Sequence, residues 1–343
     1  RVGDLMQYTI QCQNTLTGTM YDITTLVDSV THDTFISGQP GKCTFTVRDD
    51  PGNRLQIVNG SIIKFSVNGR GIFYGYVFSM ETSRDGDNKI TAYDQIRYLQ
   101  NKEVYVTEGV TASQIFELVC SENFGESAGR KTESRYKVVT PSVWIPEYKI
   151  HNGTLYEVIQ YGIEQSIVHE VGKYYFIRDN FGTLEFTELA QCKTNYIIGD
   201  GSLLTDYTYK LSIDKDVYNR IKITRTDKDV GRIISHVSPY TESQKQWGVL
   251  QMVEEIDTPM TVEQMTDLAA KYLKRYNREA QTLKLNALGV PELIAGSGFT
   301  LSIAKLGIKQ DMWIVSASHN YQQGLHTMQL EVSIAGGVYG NIS

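Results

Sequence analysis

The 343-residue chain predicts an α+β fold, mainly β, built from two similar small β-barrels with an α/β region inserted between them. Three observations carry that expectation. Alternating apolar and polar residues closed by tight-turn dipeptides fill both ends of the chain, capping boxes precede helically spaced apolar residues in the middle, and the order of features at one end recurs at the other. The matching boundaries are 1–98 for the first barrel, 99–200 for an inserted helix-and-hairpin domain, and 201–343 for a second barrel interrupted by a helical insertion around 259–281. A chain this long exceeds what one hydrophobic core serves, so at least two domains are expected.

In the first third, Ile63, Phe65 and Val67 alternate with Lys64 and Ser66 up to Asn68-Gly69, and the apolar-aromatic run Ile72 to Val77 follows. Asn-Gly favours a type I′ hairpin turn because both central positions need positive φ. Asp85-Gly86-Asp87 separates Phe78–Thr82 from Lys89–Tyr93 and predicts the next hairpin. From Tyr93 to Leu189 two helix starts stand out, Thr111-x-x-Gln114 and Thr154-x-x-Glu157, where reciprocal side-chain bonds satisfy orphaned backbone donors. Ile115, Leu118 and Val119 follow the first start, and Leu155, Val158, Ile159 and Ile163 the second, each set marking one buried stripe. Ser121 to Arg135 is polar, contains Gly125 and Gly129, and reads as a surface loop. A hairpin then returns around Asp179-Asn180-Phe181-Gly182. The last third predicts strands at Ile221–Ile223, Phe299–Ile303, Met312–Ser316 and Met328–Val332, with one helix capped by Thr261-x-x-Gln264 and bearing Met265, Leu268, Ala269, Tyr272, Leu273 and Tyr276 at spacings of three and four.

The two β-rich ends align. Phe45 and Val47, Pro51, Leu55, Gly60-Ser61, Ile62–Val67, Ile72–Met80 and Ile90–Tyr93 correspond in order to Leu283 and Leu285, Pro291, Leu293, Gly296-Ser297, Phe299–Ile303, Trp313–His319 and Met328–Val332. Duplication explains this order better than the resemblance any two small barrels share. If three such chains surround an axis, six similar barrels form one ring.

Composition narrows the function. A net charge of −6 argues against a nucleic-acid binder, which needs a basic face to neutralise phosphates. The 41% apolar content includes no uninterrupted run near the ~20 residues that span a bilayer, so a soluble chain without membrane insertion is expected. Arg1-Val2-Gly3 opens neither a charged leader nor an apolar stretch, and no secretory signal is expected in these residues. Cys12, Cys43, Cys120 and Cys192 stand singly, without metal-ligand spacing, and read as free thiols in a reducing compartment.

No catalytic motif emerges. His319 and His326 near the last hairpin invite a metal or acid–base reading, but the sequence offers no third ligand, and a turn-flanking pair packed beside Tyr321 is the expectation. Glu254-Glu255 resembles a glycosidase pair only until strand geometry is considered, since adjacent strand residues face opposite ways; a solvated loop edge is expected there. Gly-x-Ser-x-Gly is absent, and Gly69-Arg70-Gly71 is a turn rather than a phosphate loop. The 22 tyrosines point instead to protein contacts, with Tyr207, Tyr209 and Tyr218 at the entry to the second barrel as candidate interface residues.

Several ordered stretches resemble one family. GIFYGYVFSMET (Gly71–Thr82), ITAYDQIRYLQNKEVYV (Ile90–Val106), TASQIFELVC (Thr111–Cys120), VYNRIKITR (Val217–Arg225) and SASHNYQQGLHTMQLEV (Ser316–Val332) together resemble the tail hub proteins of contractile phages. The likeness is greatest to the hub of the defective Bacillus prophage group and its clostridial relatives. It is similar, more distantly, to the hub of phage T4 and the late control protein D family. The resemblance implies a non-enzymatic homotrimer with two tail-tube-like barrels per subunit, no cofactor and no catalytic residues. It implies as partners a central spike protein, a tail tube or tube-initiator protein, other baseplate proteins and, along the same axis, the tape measure protein. The place implied is the baseplate of a phage tail or tail-like particle assembled from protein made in the bacterial cytoplasm. The alternative carried beside it is a tail-associated peptidoglycan hydrolase or cell-wall-binding module.

Overall fold

The computed structural model describes residues 6–48, 55–124, 135–227, 232–256, 260–322 and 324–338. Pro51 of the repeat and most of the predicted 121–135 loop lie outside them. Contacts divide the chain into Arg1–Thr208 with Lys284–Val332, and Tyr209–Leu283 with Ser333–Ser343.

The first β-rich stretch holds β1 (Tyr8–Gln13), β2 (Met20–Asp22), β3 (Val27–Phe35), β4 (Lys42–Val47), β5 (Ile62–Val67), β6 (Arg70–Thr82) and β7 (Asn88–Tyr93). The predicted β5–β6 turn has Asn68 at φ 49° and Gly69 at φ 79°, the left-handed pair that a type I′ turn demands. Inward residues alternate with outward ones, so Ile10, Val30, Phe45, Ile63, Phe65 and Ile90 from five strands share one core. Each such side chain contributes about 1.5–3 kcal/mol by leaving water. Phe65 has its ring centroid 4.9 Å from that of Tyr321, contributed by the far end of the chain.

The insertion follows as β8 (Lys102–Thr107), α1 (Ala112–Asn123), β9 (Arg135–Val138), β10 (Lys149–Thr154), α2 (Leu155–His169), β11 (Tyr175–Asn180) and β12 (Thr183–Glu188). Both predicted capping boxes form, with Thr111 accepting from Gln114 N–H and Thr154 from Glu157 N–H. The helices pack closely where α2 carries Gly162, since a Cβ there would stand 3.0 Å from Ala112 Cα. β8 and β10 form an antiparallel ribbon, while β11 pairs with β12 and β9 joins β12 in parallel.

The remainder comprises β13 (Lys193–Gly199), β14 (Leu204–Ser212), β15 (Arg220–Asp227), β16 (Arg232–Pro239), α3 (Thr241–Trp247), β17 (Gln251–Glu255), α4 (Val262–Tyr276), β18 (Ala280–Leu288), β19 (Gly298–Ile303), β20 (Ile308–Gln322) and β21 (Leu325–Ser333). α4 carries the third capping box and buries Met265, Ala269 and Tyr272, while Ile221 and Ile223 are buried on β15. Both helix and strand lie in the second unit, where β15 pairs antiparallel with β16 and parallel with β17.

The mainly β expectation holds, but no closed barrel is found among the described strands. Thirteen of them form one sheet in the order β14-β18-β21-β20-β3-β4-β7-β6-β5-β1-β2, with β19 and then β13 branching from β20, and the other eight form three small sheets. Alternation in sequence reports which face a residue takes, not whether the last strand returns to the first.

The repeat is structural nonetheless. The path β3-β4-β7-β6-β5-β1 is matched strand for strand by β14-β18-β21-β20-β19-β13. The Gly-Ser landmark repeats to the level of single bonds: Gly60 N–H donates to Val77 C=O and Val77 N–H to Ser61 C=O, as Gly296 N–H donates to Ile314 C=O and Ile314 N–H to Ser297 C=O. Gly60 and Gly296 sit at φ 87° and 85°, which explains the glycine in both copies. The copies part company at their last strand, where β13 runs parallel to β19 but β1 antiparallel to β5.

Candidate assembly interface

The two copies meet where β20 pairs antiparallel with β3, from Ser316 opposite Phe35 to Gln322 opposite Ser29. Alternation turns Ala317, His319 and Tyr321 inward, and His319 falls directly opposite His32. His326 on β21 closes the group, with its Nε2 2.9 Å from His319 Nδ1, while His319 Nε2 lies 3.0 Å from the Leu293 carbonyl oxygen and donates to it. The Tyr321 ring stacks on His326 with centroids 4.0 Å apart. The expected His319–His326–Tyr321 packing is therefore present. His32 was missed because only the β3–β20 register brings it near.

Burial keeps these rings neutral. It pushes His32 down to about 3, with His319 and His326 adding to the effect, and His326 down to about 3, with His319 adding. His319 is lowered to about 4 by burial, against the opposing influence of the Leu293 carbonyl and Asp33. With His32 and His319 buried, His326 half-buried, and no carboxylate bonded to any of the three among the described residues, the group is poorly suited to acid–base catalysis. Among the described residues, no cluster of three or more His, Cys, Asp or Glu is placed to hold a metal ion.

A second buried polar group joins the first copy to the insertion. Asp94 accepts from Gly41 N–H at 2.8 Å and Ile96 N–H at 3.0 Å, while Asp179 accepts from Gln95 N–H at 3.2 Å and Gly182 N–H at 2.6 Å. Gln95 Nε2 also donates to the Gly182 carbonyl. Burial raises both carboxyls, that of Asp179 to about 6, and Asp179 raises Asp94 further. The bonds are explained by docking alone. Burial likewise raises the thiols of Cys12, Cys43 and Cys120, which suppresses thiolate chemistry. Glu254 and Glu255 fall on β17 rather than on a loop edge, Glu254 half-buried near the Tyr272 hydroxyl and Glu255 exposed.

Surfaces offer more than pockets. A cleft of about 710 Å³ includes Phe35, Lys42, Tyr93, Arg97, Tyr156 and Glu157 in its lining. Its charged groups are engaged already: Lys42 pairs with Asp33, Arg97 lies over the Phe78 ring and Glu157 completes a capping box. Tyr207, Tyr209 and Tyr218 are each half-buried. The first two alternate along β14, and Tyr218 meets Tyr276 edge-on with centroids 5.7 Å apart. β14 ends the sheet, pairing only with β18 among the described strands. β6 pairs along Asn88–Tyr93 of β7 on one side, but β5 leaves its other side at Tyr76, and Ser79–Thr82 beyond is exposed. Sequence patterning revealed the β14 tyrosines, while the open edges required the pairing map.

Comparison with known proteins gives a consistent result. A family model described as YqbQ-like matches residues 30–333. The Bacillus subtilis protein YqbQ is 25% identical over 284 residues, covering 80% of this chain and 82% of its own. The phage-like element PBSX protein XkdQ of the same organism is 24% identical over 299 residues, covering 85% and 86%. The fold is similar to that of a 43 kDa tail protein from prophage MuSo2 of Shewanella oneidensis, with a TM-score of 0.69 at 13% identity over 96% of this chain and 99% of that one.

Proposed function

The chain belongs to the YqbQ-like family, and from that membership we propose that it is a structural subunit of the tail hub or baseplate in a phage tail or tail-like particle. The observation that carries this reading is the duplicated strand order, since one chain holding two similar β modules adapts three-fold to six-fold symmetry. Three chains form a ring of six modules that joins a tail tube to a central spike and leaves a channel between them. The three-part division at 98 and 200 describes its modules, and Tyr207, Tyr209 and Tyr218 contribute to contacts between subunits. Other baseplate proteins and the tape measure protein complete its partners. The protein works by binding and transmitting force, without a cofactor. A wall-hydrolase reading has no support among the relatives named above.

Light scattering over a concentration series, alone and with the cognate spike protein, tests this. A trimer mass in either condition is expected. A monomer in both, or release of muropeptides from cell walls by the purified chain, would overturn it.

A further inference from the structure

Within the chain, the second copy presents the far end of a long strand, β20, to the edge of β3 in the first copy. The repeat makes β6 the counterpart of β20 and β14 the counterpart of β3, and both keep an open edge among the described strands. The matched glycine-serine bonds set Val77 against Ile314, so Ser79, Met80, Glu81 and Thr82 stand where Ser316, Ala317, Ser318 and His319 stand in the second copy. Those four residues of β20 pair with Phe35, Thr34, Asp33 and His32 of β3. Their counterparts in β6 have no strand on that side among the described residues. Burial records the same difference, since Ala317 is 2% exposed and Met80 is 37% exposed.

We propose that Ser79–Thr82 of β6 pairs antiparallel with Thr208–Leu211 of β14 in a second copy of the chain, repeating between subunits the seam that β20 and β3 form within one. The contact is heterologous, strand end on one subunit to sheet edge on the next, which is the arrangement that closes rings. Backbone N–H and C=O groups on both edges gain partners, and Met80 gains the cover that Ala317 already has. Tyr209 lies on the β14 side of this contact, with Tyr207 just beyond it. The proposal rests on the hub reading above and specifies which strands build its ring.

Disulfide trapping tests it in the full-length chain, with Cys192→Ser removing the half-buried thiol. Chains carrying Ser79→Cys or Glu81→Cys are mixed with chains carrying Leu211→Cys or Tyr209→Cys, assembled with the spike, oxidised mildly and weighed. Interchain disulfides are expected only between a β6 variant and a β14 variant. Links between like chains, or an oligomer of correct mass with no links in any combination, overturn the seam and leave the hub reading standing. A monomer throughout overturns both. Met80→Asp gives an independent reading: the chain stays folded by circular dichroism and associates at least tenfold more weakly, whereas unchanged association refutes the proposal.

Discussion

Acidification should strike the seam between the two copies first. His32, His319 and His326 lie among Asp33, Cys43, Tyr321 and Glu292, and their folded values of about 3, 4 and 3 all lie below pH 5. The unfolded chain, with imidazoles near 6.5, binds protons that the folded chain refuses, so stability is intact above pH 6.5 and declines as pH falls below it. At pH 5 the gap is 1.5 pH units, or about 2 kcal/mol for each ring at 1.36 kcal/mol per unit. Three rings forfeit about 6 kcal/mol, comparable with the whole stability of an ordinary domain. His32→Phe isolates one ring. Among the described residues its Nδ1 has no hydrogen-bond partner, and its ring already packs edge-on against Phe73, so the replacement fits. Hydrogen exchange at β3 and β20 amides measures the opening free energy of each protein at pH 7.5 and pH 5.0. The wild type should lose about 2 kcal/mol more than the variant between these values. A difference constant within about 0.5 kcal/mol would refute the reasoning, since that is the error of such comparisons.

The carboxyl pair has the opposite sign. Asp179 rises from 3.8 to about 6, so its folded form holds a proton that the unfolded chain releases, and stability declines as pH rises from 4 to 6. In urea unfolding, wild-type stability minus that of Asp179→Asn should fall by about 3 kcal/mol from pH 4 to pH 7, and a flat difference would count against it. The equivalent glycines should differ in tolerance. Gly60→Ala meets only Thr15 Oγ1 at 3.8 Å and should cost about 1 kcal/mol from left-handed strain, whereas Gly296→Ala drives Cβ to 2.2 Å from the Phe176 ring and should cost about 3 kcal/mol, read from thermal melts of both. Thr154→Ala removes the cap of α2 and should lower stability by about 1 kcal/mol in the same melts, with little effect on oligomer mass.

Local chemistry was legible in the sequence wherever a few adjacent residues determine the outcome. Asn68-Gly69 can satisfy a type I′ turn, and Thr111, Thr154 and Thr261 each find a partner three residues on, so turns and caps fall where expected. Pairing across long separations was not legible. Alternation in β13 identifies no partner, and its parallel alignment with β19 depends on how the insertion returns the chain. The same limit hid His32 from the His319–His326 pair and hid the junction that merges two expected barrels into one sheet. Tyr207 could be singled out by composition, but Met80 was only the end of an aligned run until its counterpart, Ala317, was seen to be covered.

The β3–β20 register also sets a timetable for synthesis. Phe35 leaves the ribosome long before Ser316, the residue it must pair with. At about 5–20 residues per second the interval is roughly 15–60 s. Once Ala92 has also emerged, the nascent chain carries an unpaired β3 edge beside an apolar core that still lacks Tyr321 as its cover. Such an edge is a template for aggregation, so chaperone occupancy during translation, more than the stability of the completed fold, is expected to govern how much of this protein a cell recovers in soluble form.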